Sequence, residues 1–94
     1  MIQYEQVDGM DKGDVTLYAL STCVWCKRTK QLLTELDIKY KYVFVDELDG
    51  AEKEEVVAAV KVHNPRCSYP TLVIDNETCI VGFKKDEILE ILGD

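Results

Sequence analysis

The chain lacks the features that mark membrane, secreted and nucleic-acid-binding proteins. None of its apolar runs approaches the roughly 20 residues that a membrane-spanning helix needs. The opening MIQYEQVDGMDKG has no basic start followed by an apolar core, so we expect no secretory signal. Positive charge is scarce, with 11 Lys and Arg against 18 Asp and Glu and a net charge of −7. That balance disfavours nucleic acid and anionic membranes as partners, and we expect a cytoplasmic protein that binds neither.

Internal repeats, linkers and low-complexity segments are also missing, so the 94 residues are expected to form one domain with a modest core. Residues 1–14 are polar and contain glycine, which predicts an N-terminal extension with at most one short strand. Residues 15–94 then form the domain itself. We expect it to act as a monomer.

Hydrophobic periodicity predicts the order strand, helix, strand, helix, strand, strand, helix. The predicted strands are VTLYAL (15–20), KYKYVFV (39–45), TLVI (71–74) and TCIV (78–81). The first predicted helix covers 24–36, the second runs from its cap residue Asp49 to Asn64-Pro65, and the third is KDEILEIL (85–92). The first two strands and their helix make a βαβ unit with parallel strands, and the last two strands make an antiparallel hairpin. The prediction is an α/β fold, βαβ-α-ββα, with a four-stranded mixed sheet and helices on both faces.

Two of the four cysteines lie two residues apart in STCVWCKRTK (21–30), where the first predicted strand gives way to a helix. Cys23 is at or just before the helix N-terminus, where unpaired N–H groups and the helix dipole stabilise a thiolate, the nucleophilic form of a thiol. Lys27 and Arg28 add positive charge. Cys26 lies one turn further, within reach of a mixed disulfide on Cys23. This arrangement predicts that Cys23 attacks a substrate disulfide and that Cys26 resolves the intermediate.

Other uses of the cysteines remain open. A zinc site could add Cys67 and Cys79, with His63 in reserve, although their spacing is not that of a second C-x-x-C pair. The pair could also be a structural disulfide, or simply small buried side chains. We favour redox chemistry and expect no metal. The alternatives for Cys67 are a third redox thiol, a glutathionylation site, a metal ligand or a small apolar loop residue. Cys79 is expected in the core, and His63 at a polar helix end.

STCVWCKRTK at a strand–helix junction, SYPT at the start of a strand and IVGF before the last helix resemble the glutaredoxin branch of the thioredoxin superfamily, over about residues 14–92. The resemblance implies a thioredoxin-like fold, reduction of disulfides, and no metal or prosthetic group, the redox centre being the Cys23–Cys26 pair. It also implies a cis peptide bond at Tyr69-Pro70, which exposes Tyr69 backbone groups to an extended substrate. Gly82 matches a substrate-site glycine, with a plain turn glycine as the alternative.

Trp25 lies between the two cysteines, on the first exposed turn of the predicted helix. An exposed tryptophan without a partner is unfavourable, so we place it in contact with the bound substrate. The alternative is a ring folded back onto its own protein.

Some positions depart from the glutathione-using members of the family. Leu20 stands where they usually have Lys, and VGFKKDE has Val81 in place of the first of two glycines and Lys84 and Lys85 where an acid is expected. These changes remove charge-assisted contacts, so glutathione is disfavoured. The IVGF stretch instead resembles the glutaredoxin-like hydrogen donors, and this resemblance implies a thioredoxin-reductase-type enzyme as electron donor and protein disulfides as substrates. The alternative functions are a glutathione-dependent glutaredoxin and an iron–sulfur or metal carrier that uses the same cysteines.

The cations are also distributed unevenly along the sequence. Six of them flank the motifs above, namely Lys27, Arg28, Lys30, Arg66, Lys84 and Lys85. If the fold gathers those segments, an acidic protein carries a basic face around its thiols.

Overall fold

The computed structural model describes residues 3–93, and its helices and strands follow the predicted order. They are β1 (Glu5–Val7), β2 (Val15–Ala19), α1 (Val24–Glu35), β3 (Tyr40–Phe44), α2 (Gly50–His63), β4 (Thr71–Ile74), β5 (Thr78–Val81) and α3 (Lys85–Leu92). A 3-10 turn at Val45–Glu47 follows β3. The first two residues of the predicted extension, and the last residue of the predicted domain, lie outside the described residues.

The strands form one mixed sheet in the order β1-β3-β2-β4-β5. β2 and β3 are parallel, as the βαβ prediction requires, and β4 is antiparallel to both β2 and β5. The sheet therefore has five strands where four were predicted. The additional strand is β1, which pairs antiparallel with β3 and places Gln6 opposite Lys41. β1 has only three residues and no buried side chain, so hydrophobic periodicity could not reveal it.

Helices cover both faces of the sheet, as predicted. One apolar layer lies under α1 and α3, and its buried members are Val15, Leu17, Ala19, Cys26, Leu32, Leu33, Ile38, Tyr40, Leu72, Ile74, Ile80, Ile88 and Leu92. The other lies under α2, with Tyr18, Val43, Val45, Val56, Val60 and Val73. Side chains of a strand alternate between faces, so the central strand β2 contributes Leu17 to one layer and Tyr18 to the other. All five residues of β2 are buried for that reason.

The helices bear on two predictions, the capping of α2 and the lack of a membrane-spanning segment. Asp49 is the N-cap residue of α2, as predicted, but its side chain makes no capping hydrogen bond. No helix within residues 3–93 combines the length and the apolar character needed to cross a bilayer.

The sheet brings two loops together at one edge. Ala19, the last residue of β2, leads into the cysteine segment, and Tyr18 lies opposite Thr71, the first residue of β4. The segment that contains Tyr69-Pro70 comes directly before Thr71. The topology therefore places the two most specific motifs of the sequence side by side.

Candidate active site

The two cysteines of the predicted dithiol occupy the first turn of α1. Cys23 is the N-cap residue, with φ −89° and ψ 119°, and its Sγ accepts a hydrogen bond from the backbone N–H of Cys26 at 3.1 Å. Serine, threonine, aspartate and asparagine usually fill this capping role. The sulfur of Cys23 therefore lies where unpaired N–H groups and the positive end of the helix dipole converge, an environment that stabilises negative charge.

The two thiols, both free, differ in exposure and in chemical environment. Cys23 is half-buried, whereas Cys26 is completely buried in the layer beneath α1. The pKa of Cys26 is raised to about 12, first by burial and then by its hydrogen bond with Cys23, while a backbone hydrogen bond with Leu20 acts in the opposite direction. At neutral pH Cys26 is a protonated thiol out of reach of a large partner, and Cys23 is the accessible sulfur.

An acid that we did not identify from the sequence anchors the loop before Cys23. Asp46, in the 3-10 turn after β3, accepts a hydrogen bond from the backbone N–H of Ser21 at 2.8 Å and a second, short one from the Ser21 hydroxyl. These bonds, chiefly the one from the hydroxyl, lower the pKa of Asp46. β2 and β3 are parallel neighbours, so residues that follow them meet at one edge of the sheet. This rule could have predicted from the sequence that Ser21 and Asp46 lie close together.

The loop before β4 has the cis Tyr69-Pro70 peptide bond that the resemblance implies. Pro70 is buried, and its carbonyl oxygen accepts a hydrogen bond from the N–H of Gly82 at 2.8 Å. Gly82 has φ 84°, in the left-handed region that favours glycine, which suits a turn at the end of β5. The substrate-binding roles of Tyr69, Pro70 and Gly82 stay predictions.

A buried amide, also missed from the sequence, holds that loop. Asn64 is 5% exposed, and its Nδ2 donates to the carbonyl oxygen of Ser68 at 3.2 Å and to the hydroxyls of Ser68 and Thr71 at 3.1 Å each. The Thr71 hydroxyl in turn donates to the Ser68 carbonyl oxygen at 2.6 Å. In the sequence, Asn64 signalled only the end of a helix before proline. Its contacts connect the end of α2 to the start of β4.

Trp25 is folded back onto its own protein on one face, and its contact with the substrate stays a prediction. Its side chain is 55% exposed, and one ring face stacks on Phe83, with centroids 6.0 Å apart and an interplanar angle of 20°. The guanidinium of Arg28 lies 5.2 Å from the ring centroid. The ring is therefore supported by its own protein while it still presents apolar surface beside the dithiol.

Of the other cysteines and the histidine, Cys67 contacts Tyr69, which packs against the buried layer that contains Cys26. Cys67 packs with the layer under α2, and its Sγ is 3.4 Å from the hydroxyl of Tyr69. Cys79 is half-buried in β5, where burial raises its pKa, and His63 is the last residue of α2. In the part of the chain that the structure describes, no three His, Cys, Asp or Glu side chains are grouped as metal ligands.

The fold gathers some of the expected cations near the thiols and places others elsewhere. Lys27 is exposed in the first turns of α1, and Arg28 and Lys85 line one cleft between α1 and the start of α3. Lys30 instead lies 3.8 Å from the ring centroid of Tyr42, on the sheet. The predicted supporting role of Lys27 and Arg28 in catalysis stays a prediction.

A βαβ unit with a dithiol at its helix N-cap, a cis-proline loop beside it and a closing hairpin and helix define a thioredoxin-like thiol oxidoreductase fold. The family model described as Glutaredoxin matches residues 15–79. The chain therefore belongs to the glutaredoxin family, as the resemblance indicated.

Solved structures and a curated relative agree with this assignment. The chain superposes on the glutaredoxin from Methanosarcina mazei Go1 with a TM-score of 0.91 and 52% identity, covering 99% of this chain and 90% of that one. The methanoredoxin of Methanosarcina acetivorans gives a TM-score of 0.88 and 49% identity, with coverage of 92% and 90%. An uncharacterized glutaredoxin-like 8.6 kDa protein in the rubredoxin operon of Clostridium pasteurianum is 35% identical over 78 residues, 83% of this chain and 96% of that protein. The predicted thioredoxin-like fold is confirmed, and the family implies thiol–disulfide chemistry.

Proposed function

We propose that the protein reduces disulfide bonds of other proteins by a dithiol mechanism, with Cys23 as the nucleophile and Cys26 as the resolving thiol. The observation that supports this most directly is the difference between the two sulfurs. Cys23 is half-buried at the N-cap of α1, and Cys26 is fully buried one turn further. A disulfide on a large substrate reaches the first sulfur and not the second.

In the first step the Cys23 thiolate attacks one sulfur of the substrate disulfide. A new S–S bond joins Cys23 to the substrate, the substrate's own S–S bond breaks, and the second substrate sulfur leaves as a thiolate. The N–H of Cys26, 3.1 Å from the Cys23 sulfur, supports the negative charge before the attack. Lys27 and Arg28 add positive charge on the same helix.

In the second step Cys26 attacks the sulfur of Cys23. The Cys23–Cys26 disulfide forms and the mixed disulfide breaks, which releases the other substrate sulfur as a thiolate that takes its proton from water. Two electrons have then passed to the substrate. Cys26 must lose its proton, which a pKa of about 12 opposes in the free dithiol. The hydrogen bond with Cys23, one cause of that raised pKa, changes once the Cys23 sulfur enters the mixed disulfide. We assign the proton to the substrate thiolate released in the first step.

We further propose that an enzyme of the thioredoxin-reductase type, more than glutathione, returns two electrons and two protons to the oxidised pair. Leu20 packs against the layer under α2 and offers no cation beside the dithiol. Lys84, where an acid would bind the ammonium of glutathione, forms an ion pair with Glu87 at 3.7 Å. On this proposal the dithiol is the whole redox centre, without a resident metal or organic cofactor, and the reducing cytoplasm is the fitting compartment.

Reduction of insulin disulfides, coupled to NADPH oxidation, tests both proposals. We expect turnover with thioredoxin reductase to exceed turnover with glutathione and glutathione reductase. Cys23→Ser should abolish activity, Cys26→Ser should accumulate a covalent complex with the substrate, and the control Cys79→Ser should keep activity. Turnover with glutathione and glutathione reductase but none with thioredoxin reductase would overturn the choice of reductant. Activity retained by Cys23→Ser would overturn the mechanism.

A further inference from the structure

A shallow cleft near Trp25 has no part in the mechanism above beyond the positive charge of Arg28. It lies between α1 and the start of α3, holds about 160 Å3, and is lined by Arg28, Gln31, Leu32, Glu35, Phe83 and Lys85. We call it the α1–α3 cleft. Pockets for small molecules usually enclose about 300–1,000 Å3, so a cleft of this size suits one side chain of a larger partner better than a cofactor.

The cleft is linked to the dithiol through Trp25. Trp25, between the two cysteines, stacks on Phe83, which lines the cleft. Arg28 also lines the cleft, and its guanidinium lies against the ring of Trp25. An extended chain spans about 3.3–3.6 Å per residue, so a segment that presents its disulfide to Cys23 and runs over Trp25 would reach the cleft within a few residues.

The charges of the cleft are ordered along α1. Arg28 and Glu35 are seven residues apart on one stripe of the helix, so they are separated by about 10 Å along its axis, with Arg28 at the end nearer the dithiol. Within residues 3–93 neither Arg28 nor Lys85 forms an ion pair. The cleft therefore offers two cations without an acidic partner, on a protein whose net charge is −7.

We propose that the α1–α3 cleft binds an acidic side chain of the protein substrate, located within a few residues of the target cysteine. This inference rests on the proposed disulfide reduction and adds its substrate preference. Arg28 and Lys85 donate charge-assisted hydrogen bonds to the carboxylate, and Leu32 and Phe83 give its methylene groups an apolar floor. Glu35 repels a second acid further from the disulfide. The acids elsewhere on the surface repel such a segment, which directs it to the cleft.

Symmetric disulfide dimers of a single-cysteine peptide test the proposal, since their two sulfurs are equivalent. In an otherwise uncharged peptide, one residue is Glu, Gln or Lys and is moved through the four positions on either side of the cysteine. At the position that reaches the cleft, kcat/KM should be about three- to fivefold higher for Glu than for Gln, the factor that a partly exposed ion pair supports. Lys should give the lowest value, and added salt should reduce the preference.

Variants assign the preference to the cleft. Arg28→Gln and Lys85→Gln should each reduce the ratio between the Glu and Gln peptides, and this ratio cancels any general effect on the rate. Glu35→Gln should extend the preference to acids further from the cysteine. The control Lys61→Gln removes an exposed positive charge at the end of α2 and should leave the ratio unchanged.

The possible failures are distinguishable. If the wild-type protein reduces the Glu, Gln and Lys peptides at equal rates, or if Lys61→Gln loses the preference as fully as Arg28→Gln does, the acidic-side-chain proposal is wrong. If the wild-type protein reduces none of the peptides, the proposed disulfide reduction fails instead.

Discussion

The buried thiol of Cys26 should make the stability of the reduced protein depend on pH in the alkaline range. Its pKa rises from 9.0 to about 12 in the fold, chiefly because burial disfavours the thiolate. Between these two values the folded protein keeps a proton that the unfolded chain has lost, so the free energy of unfolding falls as the pH rises. The contribution of Cys26 is fully present below about pH 9 and is lost as the pH rises through 12.

The size of the effect follows from the two pKa values. One proton bound in only one state gives a slope of at most about 1.4 kcal/mol per pH unit. At about pH 11, two units above the pKa of the unfolded thiol, the loss reaches about 2 to 3 kcal/mol as an upper limit. Small domains are stable by about 5 to 15 kcal/mol, so a loss of this size is readily measured.

Urea unfolding of the reduced protein between about pH 8 and 11, followed by the fluorescence of Trp25, measures this effect. Tyrosines and lysines titrate in the same range, so the reference is Cys26→Ala, which keeps those groups and lacks the thiol. The stability difference between wild type and variant should shrink by up to about 2 to 3 kcal/mol over that range. With Cys23→Ser in both proteins the change should be smaller but present, because burial is the largest cause. A difference independent of pH would refute the reasoning.

Three further predictions concern the surroundings of the dithiol. Asp46→Ala should lower activity and reduce the free energy of unfolding in urea by up to about 1 kcal/mol, because Ser21 loses both hydrogen bonds at an exposed site. Asp46→Asn should lose less activity and stability, because its amide oxygen still accepts the Ser21 N–H. Equal losses in the two variants would count against the anchoring role of Asp46. Phe83→Ala should shift the emission of Trp25 to longer wavelength because the stacked ring no longer shields the indole, and an unchanged spectrum would contradict the stacking. Gly82→Ala should lower the free energy of unfolding by about 1 kcal/mol, since φ 84° strains an L side chain although its Cβ would meet open space; an alanine variant as stable as wild type in urea would show that the strain is absent.

Local sequence patterns predicted the parts of the fold that local interactions determine. The last helix was predicted at 85–92 and is observed at Lys85–Leu92, and the turn of the hairpin falls at the predicted DNE. β1 was not predicted as a definite strand because its strand character depends on pairing with β3, more than 30 residues away in the chain. No local pattern in three mostly polar residues reports such a pairing.

The same distinction applies to the candidate site. The C-x-x-C motif and the proline loop were recognisable because each is a short motif with its own backbone requirement. The bond between Ser21 and Asp46 joins residues 25 positions apart and exists only once β2 and β3 are parallel neighbours. The exposure of Trp25 likewise depends on Phe83, which another part of the chain supplies. Contacts of this kind follow from topology, and the sequence alone predicts topology but not the partner of a given side chain.

The asymmetry between the two thiols follows from their spacing on a helix. An N-cap side chain bonds the N–H two or three residues into the helix, and Cys26 is the third helical residue after the cap at Cys23. Cys26 also lies on the buried stripe of α1 with Thr29 and Leu33, at i, i+3 and i+7. Each residue turns the helix by about 100°, so a spacing shorter by one would place the second thiol at the position of Trp25, which is 55% exposed. Two intervening residues therefore leave one sulfur at the helix end and turn the other into the core, which is the difference that a two-step exchange requires.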